Sequence, residues 1–208
     1  MMRITLTICI IFLLCSCVVR ENKSVPSENT SDLVISRLDR WLDYYDLKIS
    51  NFTDSLPMAE LDLISSDHEF LSEVDHLYGS FFIFSPDSSN YIDLDSYSLV
   101  LEKDSLGQLI STGSEIDTEA AWIDLKRKKR SRILFCGTEC RPEEAYWVKN
   151  NVVYILGISK LDDMDFAAIW KFDIDNHFFQ QITTSDPIDL TGKNYSTEVR
   201  LKTIGFTP

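Results

Sequence analysis

After Gly79 the chain becomes a succession of nine short apolar segments separated by polar turn residues. Each segment is rich in aromatic or β-branched residues, which fit the pleated surface of a sheet. Short segments with turn signals between them are typical of antiparallel β-structure. The pair Asn150–Asn151 suits a hairpin turn, because Asn tolerates positive φ. The predicted strands are residues 80–85, 90–95, 96–102, 120–125, 131–136, 144–148, 152–158, 167–174 and 178–184.

Upstream of Gly79 the apolar residues have helical spacing. Residues 31–45 place five of them on one helical face: Val34, Leu38, Trp41, Leu42 and Tyr45. Residues 65–78 repeat this pattern, whereas residues 45–52 alternate and suit a strand equally well. The predicted fold is therefore α+β and mainly β. We expect a single globular domain at 32–208, helical at 32–78 and β-rich at 79–208.

Two stretches of the β-rich part share one plan. Residues 120–135, AAWIDLKRKKRSRILF, and residues 167–183, AAIWKFDIDNHFFQQIT, each combine an aromatic strand, an Asp, a polar turn and a returning strand. Together with SPD ahead of a strand at 85–87, this plan resembles the repeats of TolB-type β-propellers. The resemblance implies an antiparallel β-meander or partial propeller-like sheet, because two repeats cannot close a ring. A twisted antiparallel sheet covered by the N-terminal helices is the alternative.

The first residues have the layout of a secretory signal peptide. Arg3 supplies a positive charge, and the apolar run ITLTICIIFLL follows it. A helix of that length reaches about 16 Å, roughly half the thickness of a hydrocarbon core, so a membrane-spanning helix is disfavoured.

This run ends in the sequence LCSC, which resembles the lipobox of bacterial lipoproteins and whose last residue is Cys17. The resemblance implies a signal peptide at 1–16 and acylation of Cys17, with about 0.8 kcal/mol of anchoring per buried methylene. Residues 17–31 comprise this cysteine and a polar, flexible tether. Because Val18 and not Asp follows, the expected location is the bacterial outer membrane. An ordinary signal peptide with incidental cysteines is the alternative.

Cys136 and Cys140 have three residues between them, including Gly137 where the chain can turn. In an exported protein such a pair favours a disulfide. A loop this short contributes only about 2 kcal/mol in the chain-entropy estimate, so the bond would act as a local clamp on a turn. Buried free thiols and a metal or redox role are the alternatives, although no second cysteine pair is present to complete a zinc site.

Six basic residues fall within seven positions of a chain that has 20 Lys and Arg against 33 Asp and Glu. They are predicted to project as a loop between two strands: Lys126, Arg127, Lys128, Lys129, Arg130 and Arg132. One interpretation is a solvated turn that protects a sheet edge from pairing. The other is an interaction loop for anionic headgroups, lipopolysaccharide phosphates or an acidic partner.

No motif in the sequence identifies a catalytic centre or a cofactor. His68 and His76 lie among acidic residues, and an exposed charged helix face explains them better than metal ligation does. Residues 173–177 resemble only the beginning of a calcium-binding loop. We therefore predict no metal, no cofactor and no catalytic residue. A carboxylate pair for glycoside hydrolysis stays open, because it leaves no recognisable spacing.

The net charge of −13 argues against nucleic acid as a partner, because phosphate binding needs clustered basic charge. The expected function is that of a lipid-anchored cell-envelope protein that acts as a non-enzymatic binding module, with the membrane and an envelope protein as partners. The alternatives are a periplasmic glycan or lipid hydrolase and an immunity-type inhibitor of a periplasmic toxin. A binding module should present a charged or apolar patch, and a hydrolase a pocket with convergent carboxylates.

Overall fold

A computed structural model describes residues 30–68, 73–114 and 116–206 of the protein. The predicted signal peptide, the predicted acylation site Cys17 and nearly all of the predicted tether lie outside the described residues. The described chain is mainly antiparallel β-structure with few helices, which confirms the predicted α+β, mainly β fold class.

The helices are short and the strands are numerous. The helices are α1 (Thr30–Tyr44), α2 (Glu73–Tyr78) and α3 (Leu201–Thr203), with a 3-10 turn at Ile49–Asn51 and a π-helical turn at Ser196–Arg200. The strands are β1 (Phe52–Ser55), β2 (Ala59–Glu60), β3 (Ile64–Asp67), β4 (Ile83–Phe84), β5 (Asn90–Asp93), β6 (Leu99–Lys103), β7 (Leu109–Ser114), β8 (Thr118–Asp124), β9 (Lys129–Cys136), β10 (Cys140–Lys149), β11 (Val152–Leu161), β12 (Met164–Asp173) and β13 (Phe178–Thr184).

These strands form two main antiparallel sheets, which we call sheet I and sheet II. Sheet I has the order β3-β9-β8-β5-β4, and sheet II has the order β1-β13-β12-β11-β10 with β2 also beside β13. Strands β6 and β7 form a separate hairpin between β5 and β8 in the chain. Each sheet thus contains a four-stranded meander, β4-β5-β8-β9 in sheet I and β10-β11-β12-β13 in sheet II. Neither sheet closes into a ring.

The last turn of each meander has the same hydrogen-bonding pattern. Asp124 accepts the N–H of Arg127 at 2.8 Å after β8, and Asp173 accepts the N–H of Asn176 at 3.3 Å after β12. The two stretches that share a sequence plan therefore occupy equivalent strands of two similar meanders. Their likeness to TolB-type propeller repeats stays a prediction.

The largest apolar core lies between the two sheets. It contains Trp122 from sheet I, Trp147 and Trp170 from sheet II, and aliphatic side chains from both. The strand alternation explains how each sheet also buries its other face: Trp147 points into this core, whereas its neighbour Tyr146 packs with α1 on the far side of sheet II. The hairpin β6–β7, α2 and α3 cover the far side of sheet I.

Each of the nine predicted segments overlaps an observed strand, and the Asn150–Asn151 turn joins β10 to β11 as expected. The structure differs in the part predicted as helical, 32–78. Strands β1 to β3 lie there, and residues 65–67 belong to β3 instead of a helix. The ladder from β3 to β9 and a 2.7 Å hydrogen bond between the Ser65 and Ser131 hydroxyls hold this segment extended. Strand β7 was not predicted, because LISTGS carries little apolar signal.

Gly157 in β11 lies close to the backbone of β10. A Cβ at this position would collide with the carbonyl oxygen of Arg141 and lie 3.0 Å from the Cα of Pro142, beside the bulge in β10. We expect Gly157→Ala to lower the free energy of unfolding by about 1–3 kcal/mol, because the backbone must shift to admit the methyl group. Chemical denaturation measures this change.

Gly113→Ala is the matched control. Gly113 lies in β7 with no heavy atom within 4 Å of an added Cβ, so its substitution should leave the unfolding midpoint nearly unchanged. An equal loss of stability in the two variants would contradict the close approach at Gly157.

Candidate functional site

Four turns gather at one end of the two sheets, which we call the turn end. They comprise residues 85–89, 125–128, 150–151 and 174–177. Hydrogen bonds join them: Asp87 N–H donates to Asn150 Oδ1 at 3.2 Å, and the N–H of Leu125 donates to the Ser89 carbonyl at 3.1 Å. The backbone N–H that begins turn 174–177 donates to the carbonyl of Asn151 at 2.9 Å. The turn end is therefore one connected surface built from both sheets.

A cleft of about 480 Å³ opens at the turn end between the two meanders. Its volume lies in the usual range of small-molecule sites. Turn 125–128 and strands β3, β8 and β9 line one side, and turn 174–177 lines the other. The polar and aromatic residues of the lining are Ser65, Ser89, Asn90, Trp122, Asp124, Lys126, Arg127, Lys129, Ser131, Asp175 and His177.

Trp122 is the buried aromatic residue of this cleft, and its indole N–H lacks a partner. The side chain is only 9% exposed, and its Nε1 makes no hydrogen bond among the residues that the structure describes. By contrast, Trp41 donates to Glu143 at 3.0 Å and Trp147 donates to the carbonyl of Ile83 at 2.8 Å. A buried donor without an acceptor costs about 1–3 kcal/mol, so this indole N–H lowers the stability of the core between the sheets.

The six residues of the predicted interaction loop divide into two groups. Lys126, Arg127 and Lys128 lie in turn 125–128, and all three are exposed. Of these, Arg127 reaches Asp124 at 3.5 Å, while Lys126 and Lys128 form no ion pair within 30–68, 73–114 and 116–206. The turn thus presents uncompensated positive charge to solvent in an otherwise acidic protein.

The other three basic residues belong to β9 and have acidic partners. Arg130 and Arg132 both bind Glu119, which is almost completely buried, and Arg132 does so at 2.6 Å. Lys129 binds Asp67 at 2.6 Å. Because β3 pairs with β9, this part of the basic run does not protect an open edge. Arg130 and Arg132 therefore compensate a buried carboxylate of sheet I, and turn 125–128 carries the part of the basic run that has no buried acidic partner of this kind.

The backbone of turn 125–128 is strained at one residue. Lys128 has φ of +54°, a conformation that costs an L-residue about 1–2 kcal/mol and that Gly adopts without this cost. Among the described residues, Asp46, Ser88, Asp162, Asp163 and His177 also have φ between +50° and +61°, so this conformation is a common property of the tight turns and does not single out Lys128.

Cys136 and Cys140 form the predicted disulfide, with their Cα atoms 5.0 Å apart. Cys136 ends β9 in sheet I and Cys140 begins β10 in sheet II. The bond therefore clamps the crossing from one sheet to the other, at the end of the meanders that lies opposite the turn end. It stabilises the relative placement of the two meanders and does not line the cleft.

The three histidines have different surroundings. His68 lies 3.1 Å from the hydroxyl of Tyr91, His76 lies on α2, and His177 lines the cleft. Within the described ranges, no group of three or more His, Cys, Asp or Glu side chains is placed to hold a metal ion. None of the helices in these ranges is long and apolar enough to cross a membrane.

Two adjacent carboxylates, Glu143 and Glu144, lie buried under α1 in β10. Glu143 accepts hydrogen bonds from Trp41 Nε1, from the Tyr45 hydroxyl at 2.8 Å and from Arg141 Nε at 3.0 Å. Glu144 binds Arg37 at 2.7 Å. Sequence reasoning missed this cluster, although Glu144 at the start of a predicted strand and Glu143 directly before it were a signal for it. These hydrogen-bonding partners enclose both carboxylates. The two carboxylates hold α1 on sheet II and are unavailable to a substrate.

Burial beside these carboxylates has a consequence at high pH. Burial and then the hydrogen bond to Glu198 raise the pKa of Tyr44 to about 12, and burial also raises the pKa of Tyr45, Tyr146 and Tyr195. The unfolded chain loses these protons near pH 10, before the folded protein does. Stability should therefore be complete below about pH 10 and decrease as the pH rises further.

Thermal unfolding at a series of alkaline pH values, together with tyrosinate absorbance, measures this effect. Titration of all tyrosines near pH 10 in the folded protein, with no loss of stability, would contradict it.

Comparison with known proteins found no match to a protein family, to a curated protein or to a solved structure. The class of the protein is thus defined by its own architecture: two antiparallel meanders around one aromatic core, with a polar cleft and a basic turn at one end.

Proposed function

We propose that this protein is a lipid-anchored cell-envelope protein that acts as a binding module, and that its turn end recognises an anionic component of the envelope. The observation that carries this proposal is the exposed basic turn at 125–128 beside a polar cleft of about 480 Å³. Lipid chains on Cys17 would hold the protein at the membrane, and the tether at 17–31 would give the domain freedom to reach its partner.

The electrostatics of the turn favour binding of an anion. The chain carries 33 acidic residues, so a concentrated positive site attracts an anionic partner while the remaining surface repels it. Lys126 and Lys128 have no ion pair in the described part of the chain, so their charges need not be released from another contact.

The carboxylates favour binding over hydrolysis. Asp124 in the cleft already accepts the N–H of Arg127 and contacts its guanidinium. The two most buried carboxylates, Glu143 and Glu144, are enclosed by partners and do not line the cleft. A glycosidase needs two free carboxylates facing one bond of the substrate; the cleft contains Asp124 and Asp175, and Asp124 is engaged by Arg127.

The anchor is tested by metabolic labelling with a radioactive fatty acid. The full chain should incorporate the label, and Cys17→Ser should abolish the incorporation. Equal labelling of the two proteins would overturn the proposed anchor.

The binding surface is tested by photo-crosslinking of the full chain in intact cells. A photoreactive amino acid in place of Asn176 at the turn end should give adducts, whereas the same group in place of Glu139 at the disulfide turn should not. Neutralising the turn with Lys126→Gln, Arg127→Gln and Lys128→Gln should lower the yield of adducts several-fold.

The matched control removes three positive charges from exposed positions on other elements: Lys48→Gln, Lys103→Gln and Lys202→Gln. It should leave the adducts intact. Equal losses in the two triple variants would show that net charge and not the turn governs the crosslink. The absence of any adduct from position 176 would overturn the proposed binding role.

A further inference from the structure

We propose that the open edge of β3 is a docking site for an extended segment of a partner protein in which acidic and apolar residues alternate. The segment adds a strand to sheet I beside turn 125–128. This inference deepens the proposed function and rests on it, since it names the chemistry of the anionic component. It is carried by the juxtaposition of an open strand edge, a basic turn at one end of that edge and an exposed apolar patch beside it.

The backbone of β3 offers hydrogen-bonding groups to a further strand. Strand β3 is the terminal strand of sheet I, and in the described part of the chain it pairs only with β9. The N–H of His68 donates to the carbonyl of Lys128 at 2.9 Å, and every second residue of an antiparallel ladder points to the same neighbour. Counting back from His68, the N–H and C=O groups of Ser65 and Asp67 therefore point to the open side.

This edge lacks the usual protections of a terminal strand. All four residues of β3 are exposed, and none is Lys or Pro. Its one charged side chain, Asp67, is bound to Lys129 at 2.6 Å. By contrast, the edge of sheet II is interrupted by Pro57 between β1 and β2, and proline has no N–H to offer. An exposed edge without such protections is a template for pairing with another chain.

The side of this edge that faces the cleft has a basic neighbourhood. Side chains of an added strand alternate between the cleft and the far side of sheet I, and Ser65 lines the cleft. Lys126 and Arg127 line it too, and Lys126 forms no ion pair with any described residue. Asp124 is already bound by Arg127, and Asp175 lies across the cleft on a turn of sheet II. Acidic side chains at every second position of the added strand therefore complement this side.

The far side of sheet I is apolar beside the same edge. Ile64 of β3 is 67% exposed and lies opposite Arg132 in the ladder. The Arg132 guanidinium lies 4.6 Å from the centre of the Phe135 ring, which is 44% exposed and contacts Tyr97. Because Glu119 binds Arg132, this patch carries no uncompensated charge. Apolar side chains at the intervening positions of the added strand complement it, and aromatic and arginine residues are common at interface centres.

The test uses the acylated full chain in detergent micelles and a capped peptide of the sequence EVEVEV. Amide hydrogen exchange, followed residue by residue by NMR, is the readout. We expect a saturating concentration of the peptide to slow exchange at Ser65 and Asp67 about tenfold or more, because their N–H groups gain acceptors. Exchange at Ser66 and His68 should change less, because these groups already point to β9. The control peptide KVKVKV keeps the alternation, reverses the charge and should bind about tenfold more weakly.

A proline variant separates pairing at the edge from contact with side chains. Asp67→Pro removes an N–H that points away from β9, and edge strands tolerate proline at such positions. It should weaken EVEVEV binding about tenfold relative to Asp67→Ala, which loses the same side chain and keeps the N–H. Ile64→Ser and Lys126→Gln, both at exposed positions, should each weaken binding severalfold, whereas Lys103→Gln, on β6, should not. Equal unfolding midpoints of Asp67→Pro and Asp67→Ala ensure that a loss of binding is not a loss of fold.

The outcomes of this test differ from those of the crosslinking test. Binding of EVEVEV without slower exchange at Ser65 and Asp67, equal binding of KVKVKV, or no binding overturns the edge site, while adducts from position 176 would still support the proposed function. A turn-end adduct identified as lipid or glycan would likewise overturn the strand partner and keep the binding role. Slow exchange at both amides that needs no peptide and grows with protein concentration would place a second copy of this chain at the edge and overturn the proposal. Peptide-dependent slowing at both amides without any adduct supports the edge site and overturns the wider envelope-binding function.

Discussion

Replacing Arg200 with methionine will lower the free energy of unfolding by about 3–5 kcal/mol. Arg200 follows Glu198 in the π-helical turn, is only 6% exposed, and binds Asp95 with two hydrogen bonds of 2.6 and 2.7 Å. Burial alone would lower the pKa of Arg200, but the carboxylate of Asp95 outweighs it and the pKa is raised. The arginine therefore stays charged, and its removal leaves Asp95 as a buried carboxylate without a partner.

A double-mutant cycle in urea identifies the cause of this loss. Asp95→Leu alone should also be strongly destabilising, because it leaves the buried guanidinium unpaired. The double variant Asp95→Leu/Arg200→Met should recover a large part of the stability, since neither charge then remains. Strictly additive losses would show that the pair interacts little and that the single variants act through packing alone.

An exposed ion pair provides the matched control. Lys129→Met removes one side of the Lys129–Asp67 bridge, whose two side chains are 46% and 91% exposed. Its effect on unfolding should be small, because solvent already screens the charges of such a pair. The difference between the losses of unfolding free energy in Arg200→Met and Lys129→Met measures how much burial adds to the cost of breaking an ion pair.

The long strands were predictable because both of their faces are packed, and this packing requires apolar residues pointing to either side of the strand. In β11, Val153 and Ile155 face the core between the sheets, whereas Leu156 and Ile158 pack toward α1. Strands β1 to β3 carry no such pattern, since nearly all of their residues are exposed and they are held mainly by backbone pairing to β13 and β9. Short exposed strands of this kind leave no periodic signal.

The candidate site was predictable only in part. The charge run placed Lys126 to Lys128 on a turn, and the repeat singled out Trp122, but neither pattern shows that the turn and the indole share a cleft. That arrangement depends on turn 174–177, which comes from the other sheet. Whether a buried N–H has an acceptor depends on tertiary neighbours, so the unpartnered donor of Trp122 has no sequence signature.

The buried carboxylate beneath α1 leads to the second large effect. Glu143→Leu should lower the free energy of unfolding by about 3–5 kcal/mol, because Glu143 accepts from Trp41, Tyr45 and Arg141 and is fully buried. Leucine fills similar space but leaves an indole N–H, a phenol and a guanidinium without their acceptor. Chemical denaturation measures the loss, and Glu143→Gln should lose less, because its amide oxygen still accepts.

The position of these donors predicts where the structure opens first. Trp41 and Tyr45 lie in or directly after α1, whereas Arg141 lies in β10, so the carboxylate joins the helix to sheet II. In Glu143→Leu, amide hydrogen exchange should accelerate in residues 37–44 more than in β12 at the centre of the sheet. The exposed Glu139→Leu is the control and should leave exchange in α1 unchanged. Uniform acceleration throughout the protein would mean that α1 does not detach separately, and that Glu143 stabilises the two sheets and the helix as one cooperative unit.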